Sequence, residues 1–255
     1  VLRGTTRRAS KSGTHTVSEM AYRLLEICGR VNLKASTRDE RGADLHDDNG
    51  NGIDPALVGE MNAVAVSVII PCYNHAQYLA RAIASVAAQT FGNWEIVVVD
   101  DGSTDDTREV IGQFTDSRIR AIYQTNMGLS AARNAAIRVA AGAYLAFLDA
   151  DDEWDPGFLA TCIAVLEDDR SLAGVFTGHL YIDPSGCILP QSSIDPVSRQ
   201  FVRARLLEGG FFPPNAIVIR SESVHESAAV NGDVFDTSLS SVEDWDLWLR
   251  MTERG

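Results

Sequence analysis

Lysine is almost missing from this sequence. Two occur, Lys11 and Lys34, and none follows in a chain of 255 residues. Nine of the basic residues and only four of the acidic ones lie before Gly42, so the rest carries thirteen arginines against thirty-one acids. A body that acidic repels nucleic-acid phosphate, which argues against duplex binding and against any nucleic-acid partner. Cysteine is scarce too. Cys28, Cys72, Cys162 and Cys187 lie far apart, with no CxxC and no Cys/His cluster at zinc spacing. That excludes a disulfide scaffold and a zinc module, and reduced thiols suit a cytoplasmic protein. The longest apolar stretch, Ala63–Ile70, is broken by Ser67 and falls well short of the ~20 residues a spanning helix needs. No apolar segment near the start suggests a secretory leader. Glycine fingerprints for nucleotides are also absent: no GxGxxG follows the first predicted strand and no GxxxxGK[ST] occurs anywhere. A dinucleotide oxidoreductase and a P-loop ATPase are thereby disfavoured.

What is present divides into a polar extension and a body. Residues 1–62 read as an extension or linker: a basic Ser/Thr/Gly-rich start, one short amphipathic helix over Val17–Leu33, then a polar stretch. Asp47–Asp54 has the alternating oxygen side chains of a calcium loop, but Val58 stands where a bidentate Glu belongs, so a solvated linker is the better reading. Residues 63–255 read as the folded domain. Val64–Ile70, Glu95–Val99, Ile119–Tyr123 and Ala143–Leu148 are apolar runs of strand length. Helical periods separate them at Gln77–Gln89, Asp105–Phe114 and Ser130–Ala140. Strands without a polar face, alternating with helices, predict an α/β fold whose mostly parallel sheet carries helices on both faces. Further on, short antiparallel strands near Val175–Ile182 and Cys187–Leu189, a helix over Arg199–Leu207 and a strand over Ala216–Ile219 predict a smaller antiparallel element.

In such a sheet, ligands collect beyond the carboxyl ends of the strands. The first strand runs into Pro71-Cys72-Tyr73-Asn74, the second into Asp100-Asp101-Gly102-Ser103, the fourth into Asp149-Ala150-Asp151-Asp152. Five carboxylates at one edge repel one another, and desolvating them unpaired is costly. Arg133 is the one arginine near them in this reading. A divalent cation with hard oxygen ligands, Mg2+ or Mn2+, answers the remaining charge, and Mg2+ usually completes its shell with water and substrate phosphate. The five histidines are scattered, and none is read as a ligand.

The motifs themselves are familiar. Val66–Asn74, Ser85–Phe91, Val98–Asp105, Asn126–Asn134, Phe147–Trp154, Gly232–Asp236 and Glu243–Leu249 come in order and at normal spacing. Over about residues 64–252 the chain resembles glycosyltransferase family 2. The resemblance implies a GT-A (Rossmann-like) fold and transfer of a sugar from a nucleotide-sugar donor, a UDP-sugar, to an acceptor hydroxyl with inversion. It implies that Tyr73 stacks on the base beside Pro71, and that Asp101 accepts from the base N–H. Asp149 and Asp151, flanking Ala150, become the DxD pair on ribose and metal; Arg133 and Asn134 stand beside the donor pocket. Asp244 becomes the catalytic base, against a plainer reading in which Glu243 and Asp244 only begin an amphipathic helix.

The acceptor would be a glycan, a lipid-linked sugar or another hydroxyl, and the protein would work in the cytoplasm, with the inner face of the membrane as an alternative place. Members of that family run on past the Glu-Asp helix, whereas this chain stops at Gly255, which implies an incomplete acceptor wall. No QxxRW follows, so nothing supports a processive synthase. Two other readings stand beside the enzyme: a non-catalytic nucleotide-sugar-binding domain, and a sugar-phosphate nucleotidyltransferase, which lacks its Gly-rich basic loop here.

Overall fold

The computed structural model describes residues 63–183, 187–189, 202–208, 212–229 and 232–253. The helix expected over Val17–Leu33, the calcium-like loop and the rest of the extension lie outside the described residues. Strand β1 (Val66–Cys72) is followed by helix α1 (Ala76–Ala87), β2 (Trp94–Asp101), α2 (Thr107–Gly112), β3 (Ile119–Gln124), α3 (Leu129–Ile137) and β4 (Tyr144–Phe147). Then come α4 (Phe158–Asp168), β5 (Gly174–Phe176), α5 (Val202–Leu207), a 3-10 turn (Pro214–Ala216), β6 (Ile217–Arg220), α6 (Ser221–Glu226) and α7 (Glu243–Thr252). The six strands form one sheet in the order β3-β2-β1-β4-β6-β5. β1 to β4 pair in parallel, and β6 runs antiparallel to both β4 and β5.

Alternation along β1 explains the layering, because successive side chains of a strand leave on opposite faces. Val66, Val68 and Ile70 pack with Leu79, Ile83 and Val86 of α1 and with Leu159, Cys162 and Leu166 of α4. Ile69, between them, belongs to the other face with Ala132 and Ala136 of α3, Val224 of α6, and Leu247 and Trp248 of α7. Every residue of β1, β2 and β4 is buried, as a sheet covered on both sides requires. Fully burying a Val, Leu or Ile is worth about 1.5–3 kcal/mol relative to exposure, so these two aliphatic clusters fix the sheet between its helices. Among the described residues no helix is long and apolar enough to cross a membrane.

The expected all-apolar strands need two corrections. β3, at the sheet edge, has no fully buried residue. Inside the sheet, Ser67 and Glu95 are buried, and the Ser67 hydroxyl donates to Glu95 at 2.6 Å. Glu95 also accepts from Ala141 N–H at 2.8 Å and from Arg120 at 2.6 Å. Burial alone would push the Glu95 pKa up; those hydrogen bonds to its charged form outweigh it and hold the carboxyl below its usual range. Gly142 closes the same corner: a Cβ there would stand 2.4 Å from Ser67 N. In the antiparallel part, the expected pair at 175–189 is reduced to β5 and an Ile182–Ile188 bridge. Helix α4 and helix α6 were not anticipated.

The order 3-2-1-4 reverses direction between β1 and β4. Such a reversal leaves a crevice at the carboxyl ends of the two central strands.

Candidate donor-binding and catalytic site

At that crevice lies a cleft of about 480 Å³, within the range of ligand pockets. β1 delivers Pro71 and Tyr73 to it, β2 delivers Asp101, and the segment after β4 delivers Asp149, Ala150 and Asp151. Six of the nine predicted site residues therefore share one hollow. Tyr73 is 48% exposed on its rim, leaving a ring face free for a planar ligand.

The loops beneath are locked by their own side chains. Asn74 takes the left-handed conformation, φ 56°, which Asn tolerates better than most residues. Its carbonyl Oδ1 accepts from Thr104 N–H at 2.8 Å, and its own N–H donates to Ser103 Oγ at 3.0 Å. Asp100 does not enter the cleft; it accepts from Ser103 N–H at 2.9 Å. Gly102 has φ 78°, and a Cβ on it would meet Asn126 N at 2.6 Å, so only glycine permits the turn after β2 to approach the 125–128 loop so closely. Asp101, 3% exposed, accepts from Gln124 Nε2 at 2.7 Å and Met127 N–H at 2.9 Å through Oδ1, and from Gly128 N–H at 2.9 Å through Oδ2. A carboxylate has about four acceptor directions, so Asp101 keeps capacity toward the cleft.

Arg133 lies behind the cleft, 1% exposed, and does not line it. Its guanidinium joins the two halves of the site. Nη2 bonds Asp149 Oδ1 at 3.0 Å and Nη1 bonds Glu243 Oε1 at 2.7 Å. Cζ lies 5.2 Å from the Phe235 ring centroid. The adjacent Asn134 is turned away from the cleft, contrary to expectation. Its side-chain amide donates to Phe235 O at 2.8 Å and accepts from Phe235 N–H at 2.9 Å. Asn134 thus pins the 232–236 segment to α3, with both its amide nitrogen and its oxygen engaged by the Phe235 main chain.

The crowd of acids is therefore compensated one by one. Asp100 and Asp101 hold backbone amides, and Asp149 holds Arg133. Asp152 accepts from Asn215 Nδ2. Burial, together with the Asp149 and Asp151 charges, nevertheless raises the Asp152 pKa to about 6. Asp151 lines the cleft, is exposed, and has no side-chain partner among the described residues.

Asp244 is not in the cleft lining. It is 6% exposed at the first turn of α7 and accepts from Trp245 N–H at 2.7 Å. Desolvation, helped by the neighbouring Glu243 charge, raises its pKa. Val242, just before this pair, has φ 60°, an uncommon conformation for a β-branched residue. Strain of this kind concentrates at functional positions, and here it sets the direction in which Glu243 enters toward Arg133.

The Glycosyl transferase family 2 profile matches residues 67–223, from the first strand into α6. The chain belongs to glycosyl transferase family 2. It is 32% identical to the Bacillus subtilis glycosyltransferase TuaG, named for teichuronic acid biosynthesis, over 74% of this chain and 73% of that protein. It is likewise 32% identical to Escherichia coli chondroitin synthase over 74% of this chain, but only 27% of that protein. The chain spans half or less of the length of four of the curated relatives it matches. Among solved structures, Staphylococcus aureus TarS 1–349 in complex with UDP superposes with a TM-score of 0.57 at 26% identity, over 73% of this chain and 54% of that one. The sheet and its flanking helices are thus the GT-A fold.

Reading the family 2 motifs alone missed several residues of the site. His75 and Asn126 line the cleft. His75 carries no spacing signal, since it simply precedes α1. Asn126 opens the Asn126–Asn134 motif, and that membership is its one sequence signal; its closeness to Gly102 shows only in the fold. In the sequence Glu243 is only the neighbour of Asp244; in the fold it is the buried partner of Arg133.

Proposed function

We propose that this chain transfers a sugar from a nucleoside-diphosphate sugar, a UDP-sugar, to an acceptor hydroxyl with inversion. The observation that carries the proposal is the convergence of Pro71, Tyr73, Asp101, Asp149 and Asp151 in one cleft at the β1–β4 reversal. The UDP complex of the similar TarS chain supports uridine as the base. In this reading Tyr73 stacks on the base, which is worth about 1–3 kcal/mol by analogy with other aromatic–base contacts. Asp101 accepts from the base N–H with the capacity left after its three backbone and amide bonds. Asp149, steadied by Arg133, faces the ribose.

The residues present fit a divalent cation. Asp151 is an exposed carboxylate without a partner among the described residues, and Asp149 gives only one oxygen to Arg133. No cluster of three or more candidate ligand side chains occurs among the described residues. A pair of carboxylates, Asp149 and Asp151, suits Mg2+ or Mn2+, which take few carboxylates and leave positions for diphosphate oxygens. Bound there, the ion would act as a Lewis acid on the charge of the departing diphosphate. Asp244 takes the proton of the acceptor hydroxyl, a contribution of typically ~10²–10⁴ in rate. Its raised pKa suits that task. Inversion asks for one base, on the face opposite the leaving group. The acceptor is a hydroxyl of a glycan or of a lipid-linked sugar, the latter met by peripheral association with a membrane.

A panel of nucleotide sugars in thermal shift, with and without Mn2+, tests this reading. At a hundred times Kd a ligand adds about 2.7 kcal/mol, or a rise of about 5–10 °C for a domain of this size. The rise is expected for UDP-sugars, in Mn2+, and lost in Asp151→Asn. No shift with any nucleotide, or an equal shift in Asp151→Asn, would refute it.

A further inference from the structure

We propose that Arg133, acting through Glu243, is the positioning residue for the base of the transfer step: it fixes the first turn of α7 against the donor cleft and supplies the positive charge that offsets Glu243 beside Asp244. The inference rests on the reading of Asp244 as the base and adds what holds and tunes it.

Its first ground is the anchoring of α7. Asp244 spends Oδ1 on Trp245 N–H, within its own turn, so that bond cannot orient the helix. Orientation comes from the residue before it. Glu243 Oε1 accepts from Arg133 Nη1 at 2.7 Å, across 110 residues of chain. Only 1% of the Arg133 side chain and 11% of that of Glu243 reach solvent. The same guanidinium bonds Asp149 Oδ1 at 3.0 Å, and Asp149 lines the cleft. One planar group thus joins a cleft carboxylate to the residue beside the base. Asn134, next to Arg133 on α3, grips the Phe235 main chain by two bonds. Between these anchors the chain passes through exposed Thr237, Ser238, Ser240 and Ser241 and returns at Val242 with φ 60°. A residue so conformed persists only where its surroundings over-determine it. The Glu243–Arg133 bond is that constraint.

The second ground is charge. Asp246 of α7 pairs with Arg250, whose guanidinium also bonds the carbonyls of Ser227 and Val234. Arg203 of α5 engages the far end of α7, at Leu249 O, Thr252 Oγ1 and Glu253. Among the described residues this leaves Glu243 and Arg133 as the charges that act on Asp244. Burial raises the Asp244 pKa and the Trp245 N–H lowers it; the Glu243 charge raises it and the Arg133 charge lowers it. Opposite charges at a buried carboxylate thus pull its ionisation in opposite directions, and Arg133 is the one that favours the ionised form a base needs.

NMR titration of the Asp244 carboxyl carbon, in full-length protein labelled with carbon-13 aspartate and free of nucleotide, tests the pair. The signal lost in Asp244→Asn assigns it. Arg133→Leu is expected to move the midpoint to higher pH and Glu243→Gln to lower pH, opposite signs that a purely mechanical support would not produce. Arg133→Leu/Glu243→Leu strands no charge at Glu243 and keeps the test readable if Arg133→Leu does not fold; its midpoint is expected above that of Glu243→Gln, because it lacks the Arg133 charge. In calorimetry with Mn2+, Glu243→Gln is expected to bind UDP within about threefold of wild type, since Asp149 keeps its arginine. Midpoints that stay fixed, or that move the same way on loss of either charge, overturn the proposal. A loss of UDP affinity of about tenfold in Glu243→Gln overturns it too, because Glu243 would then serve the donor and not the base. Full turnover in Asp244→Asn removes the base reading, and the titrations, which need no turnover, keep the two failures apart.

Discussion

Arg133 is the residue whose removal the geometry makes most informative. Replacing it with Leu leaves two carboxylates without their cation, and the two are not equally protected. Asp149 has a third of its side chain in solvent, whereas Glu243 has 11%. Water can replace the guanidinium at Asp149, so the loss falls mainly on Glu243. Breaking a buried pair by removing one partner typically costs about 3–5 kcal/mol. Glu243→Leu should cost less, because Arg133 keeps Asp149. Removing both charges leaves an apolar contact beside Phe235, and only the partly solvated Asp149 is left without its guanidinium. The double variant should then be more stable than the sum of the single losses predicts, by about 2–3 kcal/mol. Urea unfolding followed by tryptophan fluorescence reads the cycle, since Trp245 and Trp248 lie on the helix that begins with Glu243. Additivity of the two single losses within about 0.5 kcal/mol would refute the reasoning, because it would mean that the two groups act independently.

Tyr73→Ala should weaken uridine and UDP alike by about 5- to 100-fold, the equivalent of 1–3 kcal/mol of stacking; calorimetry showing an effect on the diphosphate alone would contradict stacking. Asp244→Asn should keep UDP affinity and lose sugar transfer, so full turnover in that variant would remove Asp244 as the base. The sign of the pH dependence follows from the same residue. A base works deprotonated, and burial raises the Asp244 pKa. Transfer should therefore fall as pH drops through that raised value, with its acid limb above the ~3.9 of an ordinary Asp. A rate that stays flat down to that pH would sink the assignment.

The parallel half of the fold was readable because its strands are continuous apolar runs and its helices keep a 3.6-residue period. The sequence placed β1 two residues early, at Val64–Ile70. Pro71 and Cys72 read as loop residues, yet both pair with β2. Proline lacks only the N–H, and its carbonyl and side chain still fit a buried strand end. The cleft residues Pro71, Tyr73, Asp101, Asp149 and Asp151 were legible because strand ends are fixed by the strands themselves. Glu243 and Asn215 were not. Their roles come from contacts 110 and 63 residues away in the chain, and no local period encodes a contact of that kind. The bond of Asn134 to Phe235, which spans 101 residues, is of the same kind.

The electrostatic expectation changes most. Five acids at one edge predict Arg133 and a divalent cation as their compensation. The structure divides the load: backbone amides take Asp100 and Asp101, Arg133 takes one oxygen of Asp149, and Asn215 takes Asp152. Asp151 is left, on the open side of the cleft. One uncompensated carboxylate beside a half-committed one suits an ion that arrives with its own phosphate ligands and departs with them. Arg133 is not interchangeable with that ion, because it is buried behind Asp149 and tied to Glu243. Its Nε has no hydrogen-bond partner among the described residues, so the pair gains little over well-packed apolar side chains even though removing one member alone is costly. Its value lies in position: through one rigid guanidinium it sets the distance between the donor cleft and the helix that carries Asp244.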